Sequence, residues 1–445
     1  MATASVSETV PAGVARKVGE QERLFHYLHA YGGLIPVQVL HIRGRIDPEQ
    51  VKGGLAYLQR IHPILRAHIR YEGIIFVNKP PFVYRQPWLD TRGTTEVPFR
   101  VINDPDPERW RHELDKELKK AMPRGKNPRM RVLLVREHPD AELNHLFFTA
   151  DHICADAQAH NMGSRHFLEY LADPGMAEQR VPVHTGLPPA LEHGMRRSNN
   201  GTGQYHLPIR LPHKRVPGGK QATRQIVRRL DADAANAIRA AFKSHRTTLH
   251  GAITAGFFMA IREKYGFKEL TTLATVDMRR LCKPPFPTET YGCFIDLLRT
   301  KHAVDGDYWT IAQDVSFKLI QTIAKDQEAA SIMKLWGWPF YRDEAWDMIR
   351  HGRRMDAVAV TTAGESSLGR EYGRYTLEDV TMAVSTVMFG VSLFVISAER
   401  LDGLTLYVCY ADYATAKAEV EELTDRAIEV ILREAQAAPA ALAAQ

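Results

Sequence analysis

Apolar residues recur along this chain with two alternating spacings, which divide it into strands and helices. Val37 to Ile46 alternates apolar and polar positions and predicts a strand. Asp47-Pro48-Glu49 then opens a helix, with Asp47 as cap and Pro48 in the first turn. Val51, Leu55 and Leu58 fall on one face of that helix, which runs to about Arg60. A short strand pair is expected at Ile74 to Val77 and Phe82 to Tyr84. Asp106-Pro107 repeats the cap-then-proline start and opens a charged amphipathic helix to about Ala121. Met130 to Arg136 and Leu143 to Ala150 read as a hairpin turned at His138-Pro139-Asp140-Ala141. Its second strand runs into Asp151-His152-Ile153-Cys154-Ala155-Asp156-Ala157, and Gln158 to Tyr170 continues as a helix.

Hydrophobic periodicity then stops. From about Arg180 to Lys220 the chain is rich in Pro, Gly, His, Asn and Arg, with Ser198-Asn199-Asn200-Gly201-Thr202-Gly203 at its middle. Periodicity resumes with a strand at Thr223 to Leu230 and helices at Asp231 to Ser244 and Thr248 to Tyr265, the latter apolar over most of its surface. Strands follow at Leu270 to Val276, Tyr291 to Arg299, Asp356 to Thr362, Val380 to Ser385, Phe389 to Ala398 and Gly403 to Tyr410. Helices are expected at Trp309 to Ile323 and Lys417 to Ala435, with a frayed Ala-rich tail from Gln436. Trp336, Trp338, Phe340, Tyr341 and Trp346 form an aromatic-rich stretch suited to core packing or to lining a pocket. The expectation is therefore an α/β (α+β) chain of two subdomains, residues 1–180 and 222–445, joined by a crossover linker at 181–221, with its site between the halves.

Composition narrows the classes. With 445 residues the chain is long enough for two domains or one large core. The net charge of +6 is mild for that length, and no basic run is interleaved with stacking aromatics, so nucleic acid is not expected as a partner. A phosphate-bearing small molecule or an acidic protein suits that charge better. Four cysteines, none paired at metal-ligand spacing, argue against a disulfide framework and for a reducing, cytoplasmic setting. Met1 to Glu20 lacks a signal-like apolar core, and Val387 to Ala398 is too short to span a membrane.

The chemistry centres on His152, a base with a near-neutral pKa at the mouth of an apolar strand. His152, Asp156 and His160, spaced i, i+4 and i+8, would share one face of a continuous helix and offer a zinc site. The apolar run before His152 argues instead for a strand end. Cys154 is a second candidate nucleophile, but two residues from His152 with no third orienting group it reads better as a buried thiol.

Asp151-His152-Ile153-Cys154-Ala155-Asp156-Ala157 resembles the His-His-x-x-x-Asp-Gly motif of the chloramphenicol-acetyltransferase-like superfamily. That superfamily includes nonribosomal peptide condensation domains and the mycobacterial polyketide-associated acyltransferases. Asp151 replaces the first His and Ala157 the Gly. Further stretches fall in the same order. Ile61-His62-Pro63-Ile64-Leu65-Arg66 is similar to an early Arg-His-Glu-x-Leu-Arg motif. Val276-Asp277-Met278-Arg279 and Gly292-Cys293-Phe294 resemble a paired segment of the second subdomain, Thr361 to Gly364 the Ser-Asn-x-Gly stretch, and Gly403 to Tyr410 a late strand ending in Tyr.

The resemblance implies two subdomains in a V with a central tunnel. It implies acyl transfer from acyl-CoA or a phosphopantetheinyl carrier protein to a small alcohol or amine, with no bound cofactor or metal, in secondary metabolism or lipid assembly. His152 would be the general base. Asp156 would be a structural carboxylate, its expected partner Arg66. Asp151, Ala157, Arg279, Thr361 and Thr362 are candidate substrate or oxyanion contacts. Two alternatives remain open: the same fold catalysing cyclisation or another reaction on a carrier-bound intermediate, and a non-catalytic protein that binds a carrier.

Overall fold

The computed structural model describes residues 14–76, 83–194, 206–217, 220–326, 350–365, 367–387, 390–400 and 402–442. Two six-stranded sheets organise it, with a three-stranded sheet at one side. The first sheet runs Glu371–Tyr372, Tyr375–Val384, Pro36–Arg43, Leu143–Ala150, Met130–Arg136, Phe99–Asn103. The second runs Ile295–Ala303, Glu269–Asp277, Val358–Glu365, Leu393–Arg400, Gly403–Asp412, Ala222–Leu230.

The first sheet is not built from the first half alone. Tyr375–Val384 pairs antiparallel with Pro36–Arg43, setting Val380 opposite Leu40. Leu34 N–H donates to Ser385 O at 3.0 Å and Ser385 N–H to Ile35 O at 3.1 Å, continuing the pairing past the strand end. A division at residue 222 therefore cuts through one sheet. The strand alternates apolar and polar positions like any half-buried strand, so its pattern carries no information about which sheet receives it.

The second sheet is buried on both faces. Along Leu393–Arg400, Leu393 and Val395 join a core with the helices Ala232–Ser244, Leu249–Tyr265 and Lys417–Leu442, whereas Phe394, Ile396 and Ala398 join the core of the first half. Gly403–Asp412 divides in the same way, with Leu406 and Val408 on the helix side and Tyr407 and Cys409 on the other. Burial on two faces accounts for the unbroken apolar runs of these strands. Leu249–Tyr265 is buried from Gly251 to Ile261 without interruption, as its all-round apolar surface requires. Gly256 lets it approach its neighbour: a Cβ there would stand 2.6 Å from Ile431.

Several boundaries differ from expectation. The charged helix after Asp106 is shorter, Arg109–Glu117, and Asp106 accepts from Glu108 N–H at 2.9 Å in the turn ahead of it. The short strand pair extends to His68–Phe76 and Val83–Asp90. The closing helix continues to Leu442, in keeping with the helix propensity of its alanines. The aromatic stretch 336–346 and the centre of the expected linker, 198–203, lie outside the described residues. Among the described residues no helix is long and apolar enough to cross a membrane.

One prediction follows from the shared sheet. Residues 14–194 produced alone leave Pro36–Arg43, buried along most of its length, as a bare edge strand. That fragment is expected to aggregate without a cooperative melting transition, and co-production with residues 206–442 to restore one; cooperative melting of the isolated fragment would refute the shared-sheet dependence.

Candidate active site

The hairpin Met130–Arg136 and Leu143–Ala150 ends where the site begins. Asp151 to Asp156 form a tight turn, closed by Cys154 N–H to Asp151 O at 2.9 Å, and helix Ala157–Ala172 leads away. Asp156 caps that helix, its Oδ1 accepting from Ala159 N–H at 2.9 Å. The turn thus fixes His152 between a strand end and a helix start.

Asp156 is almost wholly enclosed. Besides the cap, it meets Arg279 Nη1 at 2.8 Å and Nη2 at 3.0 Å, and its Oδ2 accepts from Phe294 N–H at 2.9 Å. Its partner is Arg279 rather than Arg66. Arg66 ends the short helix Pro63–Arg66 with its side chain exposed. Arg279 also donates to Thr290 O and Gly292 O at 3.2 and 3.1 Å, and to Asp277 Oδ1 at 3.0 Å. Every member of this clamp except Asp156 and Ala159 comes from the second half of the chain. Burial acts against both charges. The Arg279 guanidinium and the two N–H donors outweigh it and hold the Asp156 carboxyl below the usual range, while Asp156 and Asp277 raise Arg279.

His152 is half-buried, its ring 5.0 Å from that of Phe25 in a tilted contact. Nδ1 lies 3.6 Å from Cys293 Sγ. Burial lowers its pKa below the ordinary histidine value, and its own backbone carbonyl, Asp156 and Asp151 pull it back only in part. With Nδ1 turned to the thiol of Cys293, Nε2 is the nitrogen left for a substrate.

The ring stands on the wall of a cavity of about 880 Å³, counting its open mouth, between the two sheets. Phe25, Val37 and Met382 line it from one side, Leu297, Phe394 and Ile396 from the other. Ala157, Thr361 and Thr362 also line it, and Thr362 Oγ1 has no hydrogen-bond partner. Asp151 and Arg279 do not line it. Arg279 is consumed by its clamp. Asp151 is buried against Arg129, its Oδ2 2.7 Å from Nη2 and 3.1 Å from Nε, with His26 Nδ1 at 3.3 Å. Burial would raise the Asp151 carboxyl, but His29 and Arg129 hold it well below the usual range. The carboxylate where the motif has its first His thus ties the helix Glu20–Ala30, which carries Phe25, to the site turn.

His152, Asp156 and His160 do not form a ligand set, because the Asp156 oxygens are taken. Among the described residues no group of three or more His, Cys, Asp or Glu could hold a metal. Cys154 faces Ile64 O at 4.0 Å, away from the cavity. The thiol that does approach His152 is Cys293, which reached the sequence analysis only as part of Gly292-Cys293-Phe294. His62, from the early motif, contacts His166 Nδ1 at 3.0 Å and packs on Tyr291 of the second half.

The family description "Phthiocerol/phthiodiolone dimycocerosyl transferase C-terminus" matches residues 219–344, less than half of the chain. No curated protein matches. Solved structures do so over nearly the whole chain. A trichothecene 15-O-acetyltransferase from Fusarium sporotrichioides aligns with TM-score 0.70 and 12% identity, covering 97% of this chain and 100% of its own. A nonribosomal peptide synthetase cyclization-docking bidomain from Sorangium cellulosum gives 0.67 and 15%, covering 95% and 85%. Polyketide synthase associated protein 5 from Mycobacterium tuberculosis gives 0.62 and 13%, covering 94% and 98%. At such identities these likenesses establish the fold.

The clamp generates a stability prediction. Arg279→Met strands the Asp156 carboxylate and is expected to cost about 3–5 kcal/mol of unfolding free energy, the range for breaking a buried pair. Arg279→Met with Asp156→Leu should cost less than the sum of the single changes. Denaturant unfolding checks both; additive losses would show that the two charges are not coupled.

Proposed function

We propose that this chain, which shares the fold of chloramphenicol-acetyltransferase-like enzymes, transfers an acyl group from a CoA or acyl-carrier-protein thioester to an alcohol or amine, with His152 as general base. The observation that carries this reading is the position of His152. One imidazole, depressed in pKa and therefore neutral near pH 7, stands on the wall of a cavity between the two sheets with Nδ1 turned to Cys293.

In this reading Nε2 takes the proton of the acceptor hydroxyl or amine as the acceptor attacks the thioester carbonyl. A tetrahedral oxyanion forms, and Thr361, on the cavity face of its strand with Ala359 and Ala363 and paired with Ile396, carries the hydroxyl best placed to donate to it. The oxyanion collapses, the C–S bond breaks, and the proton held by His152 passes to the leaving thiolate. No acyl-enzyme is required, since the thioester already has a good leaving group. Cys293 is a poor nucleophile for such a step, because burial pushes its thiol well above the ordinary range. The tunnel expected of this fold would bring donor and acceptor to His152 from different sides. The mild net charge suits either donor, and the family description supports a place in lipid assembly or secondary metabolism.

A second reading keeps the fold and changes the reaction to cyclisation of a carrier-bound intermediate. Likeness to the cyclization-docking bidomain supports it. A non-catalytic carrier-binding protein is the third, and it would tolerate loss of His152.

Thiol release by wild type and His152→Ala, with a panel of acyl-CoAs and acyl-loaded carrier proteins plus alcohols and amines, separates these. Loss of about 10²–10⁴-fold is expected for a positioned general base. Equal release by both proteins would remove His152 from the mechanism. The pH profile adds a second check. A base whose pKa is lowered stays unprotonated to lower pH, so the acidic limb of kcat/KM is expected below the ordinary histidine value of about 6.5. An acidic limb above that value would contradict the depressed pKa.

A further inference from the structure

Between the helix Arg109–Glu117 and the strand Met130–Arg136 the chain carries Lys119, Lys120, Arg124, Lys126 and Arg129, and no acidic residue. Arg129 turns inward to Asp151. The other four cations are exposed, and among the described residues none has an acidic partner. The loop is fastened at two points. Met122 N–H donates to His29 Nε2 at 2.7 Å, and Thr95 N–H to Lys126 O at 2.9 Å. Two tyrosines border it. Tyr31 precedes Gly32, where a Cβ would stand 3.3 Å from Lys119 O. The Tyr71 hydroxyl meets His26 Nε2 at 2.8 Å, and Arg124 is close enough to act on that phenol. Tyr31 is 44% and Tyr71 47% exposed, so both rings stand out beside the cations.

We propose that this face docks on the surface of an anionic phospholipid bilayer, with Lys119, Lys120, Arg124 and Lys126 over the headgroup phosphates and the rings of Tyr31 and Tyr71 at headgroup level. Unpaired cations on long stems answer a diffuse anionic surface without needing individually matched partners. The net charge of +6 is too mild to hold a chain of 445 residues on such a surface when spread evenly; four cations between residues 119 and 126 concentrate it. The phenols decide between a bilayer and an acidic protein. A tyrosine at a bilayer interface buries its ring and keeps its hydroxyl wet. A protein partner would need a desolvated apolar centre, which two separate rings with polar tips do not make. The docked face adjoins the turn that carries His152, because Arg129 at the end of the loop holds Asp151 at 2.7 Å. The assignment does not depend on the reaction given to His152.

Co-sedimentation of the full chain with vesicles tests it, using phosphatidylcholine alone and phosphatidylcholine mixed with phosphatidylglycerol, at low and high salt. A cation near an anionic surface is worth roughly fivefold in binding, so four of them are expected to favour the mixed vesicles by about 10²–10³-fold at low salt, and high salt to screen most of that difference. Lys120→Glu with Arg124→Glu is expected to weaken binding to the mixed vesicles by about 25-fold or more. Lys243→Glu with Lys268→Glu makes the same change in net charge at exposed positions of the second half and should leave binding as it is. Failure to sediment with the mixed vesicles, equal binding to neutral ones, or equal losses in the two double variants overturns the assignment. Tighter, loop-dependent binding to soluble poly-glutamate than to the mixed vesicles would make the partner an acidic protein and overturn it as well. Should the loop double variant fail to fold by circular dichroism, Lys120→Gln carries the comparison: a loss of about fivefold sustains the assignment, and binding identical to wild type overturns it.

Discussion

The buried ion pair between Asp156 and Arg279 is the contact on which the arrangement of this molecule turns. Two opposite charges removed from water are tolerable only when each is well paired. Here the carboxylate has four donors and the guanidinium has two carboxylates and two carbonyls, drawn from both halves of the chain. Asp156 also caps the helix that follows the site turn. One side chain thereby joins three tasks: it ends the turn carrying His152, starts the helix carrying His160, and locks the second sheet against both.

The same pairing shields the His152 imidazole. An unpaired carboxylate four residues from His152 would raise its pKa strongly; tied to Arg279, Asp156 pulls upward too weakly to cancel burial. The departure at Asp151 works in a similar way. Facing Arg129 and the two histidines of the first helix, it is a structural anchor beneath the site rather than a group in the cavity. The substitution thus changes what holds the turn in place while leaving the cavity face of His152 intact.

The cavity itself is a consequence of layering. The second sheet sends alternate residues into two cores, and on the face turned to the first half Thr361, Ala363, Phe394 and Ile396 stop short of the opposing strands. Strand Tyr375–Val384, crossing into the first sheet, supplies the facing wall with Met382, Ala383 and Val384. Without that crossing the cavity would lack one side.

Much was written in local order. Hydrophobic spacing set the hairpin that delivers His152, the capped helix after Asp47 and the wholly buried helix Leu249–Tyr265, because period and caps act within a few residues. The residues 151–157 marked the site and the likeness of its motif, for the same reason. Pairing over long separations was not legible. Arg66 was the expected partner of Asp156, and only the packed second half put Arg279, 123 residues away, in that place. Nor did the strand at 375–384 announce its sheet, since an alternating pattern states that one face is buried and not against what. His160 and Cys293 became neighbours of His152 only when a helix face and a distant loop closed around it. The sequence by itself determined the elements and the turn that carries His152; the tertiary structure decided the partners, because charge pairing, sheet membership and cavity walls depend on distance in space and hydrophobic period records only distance along the chain.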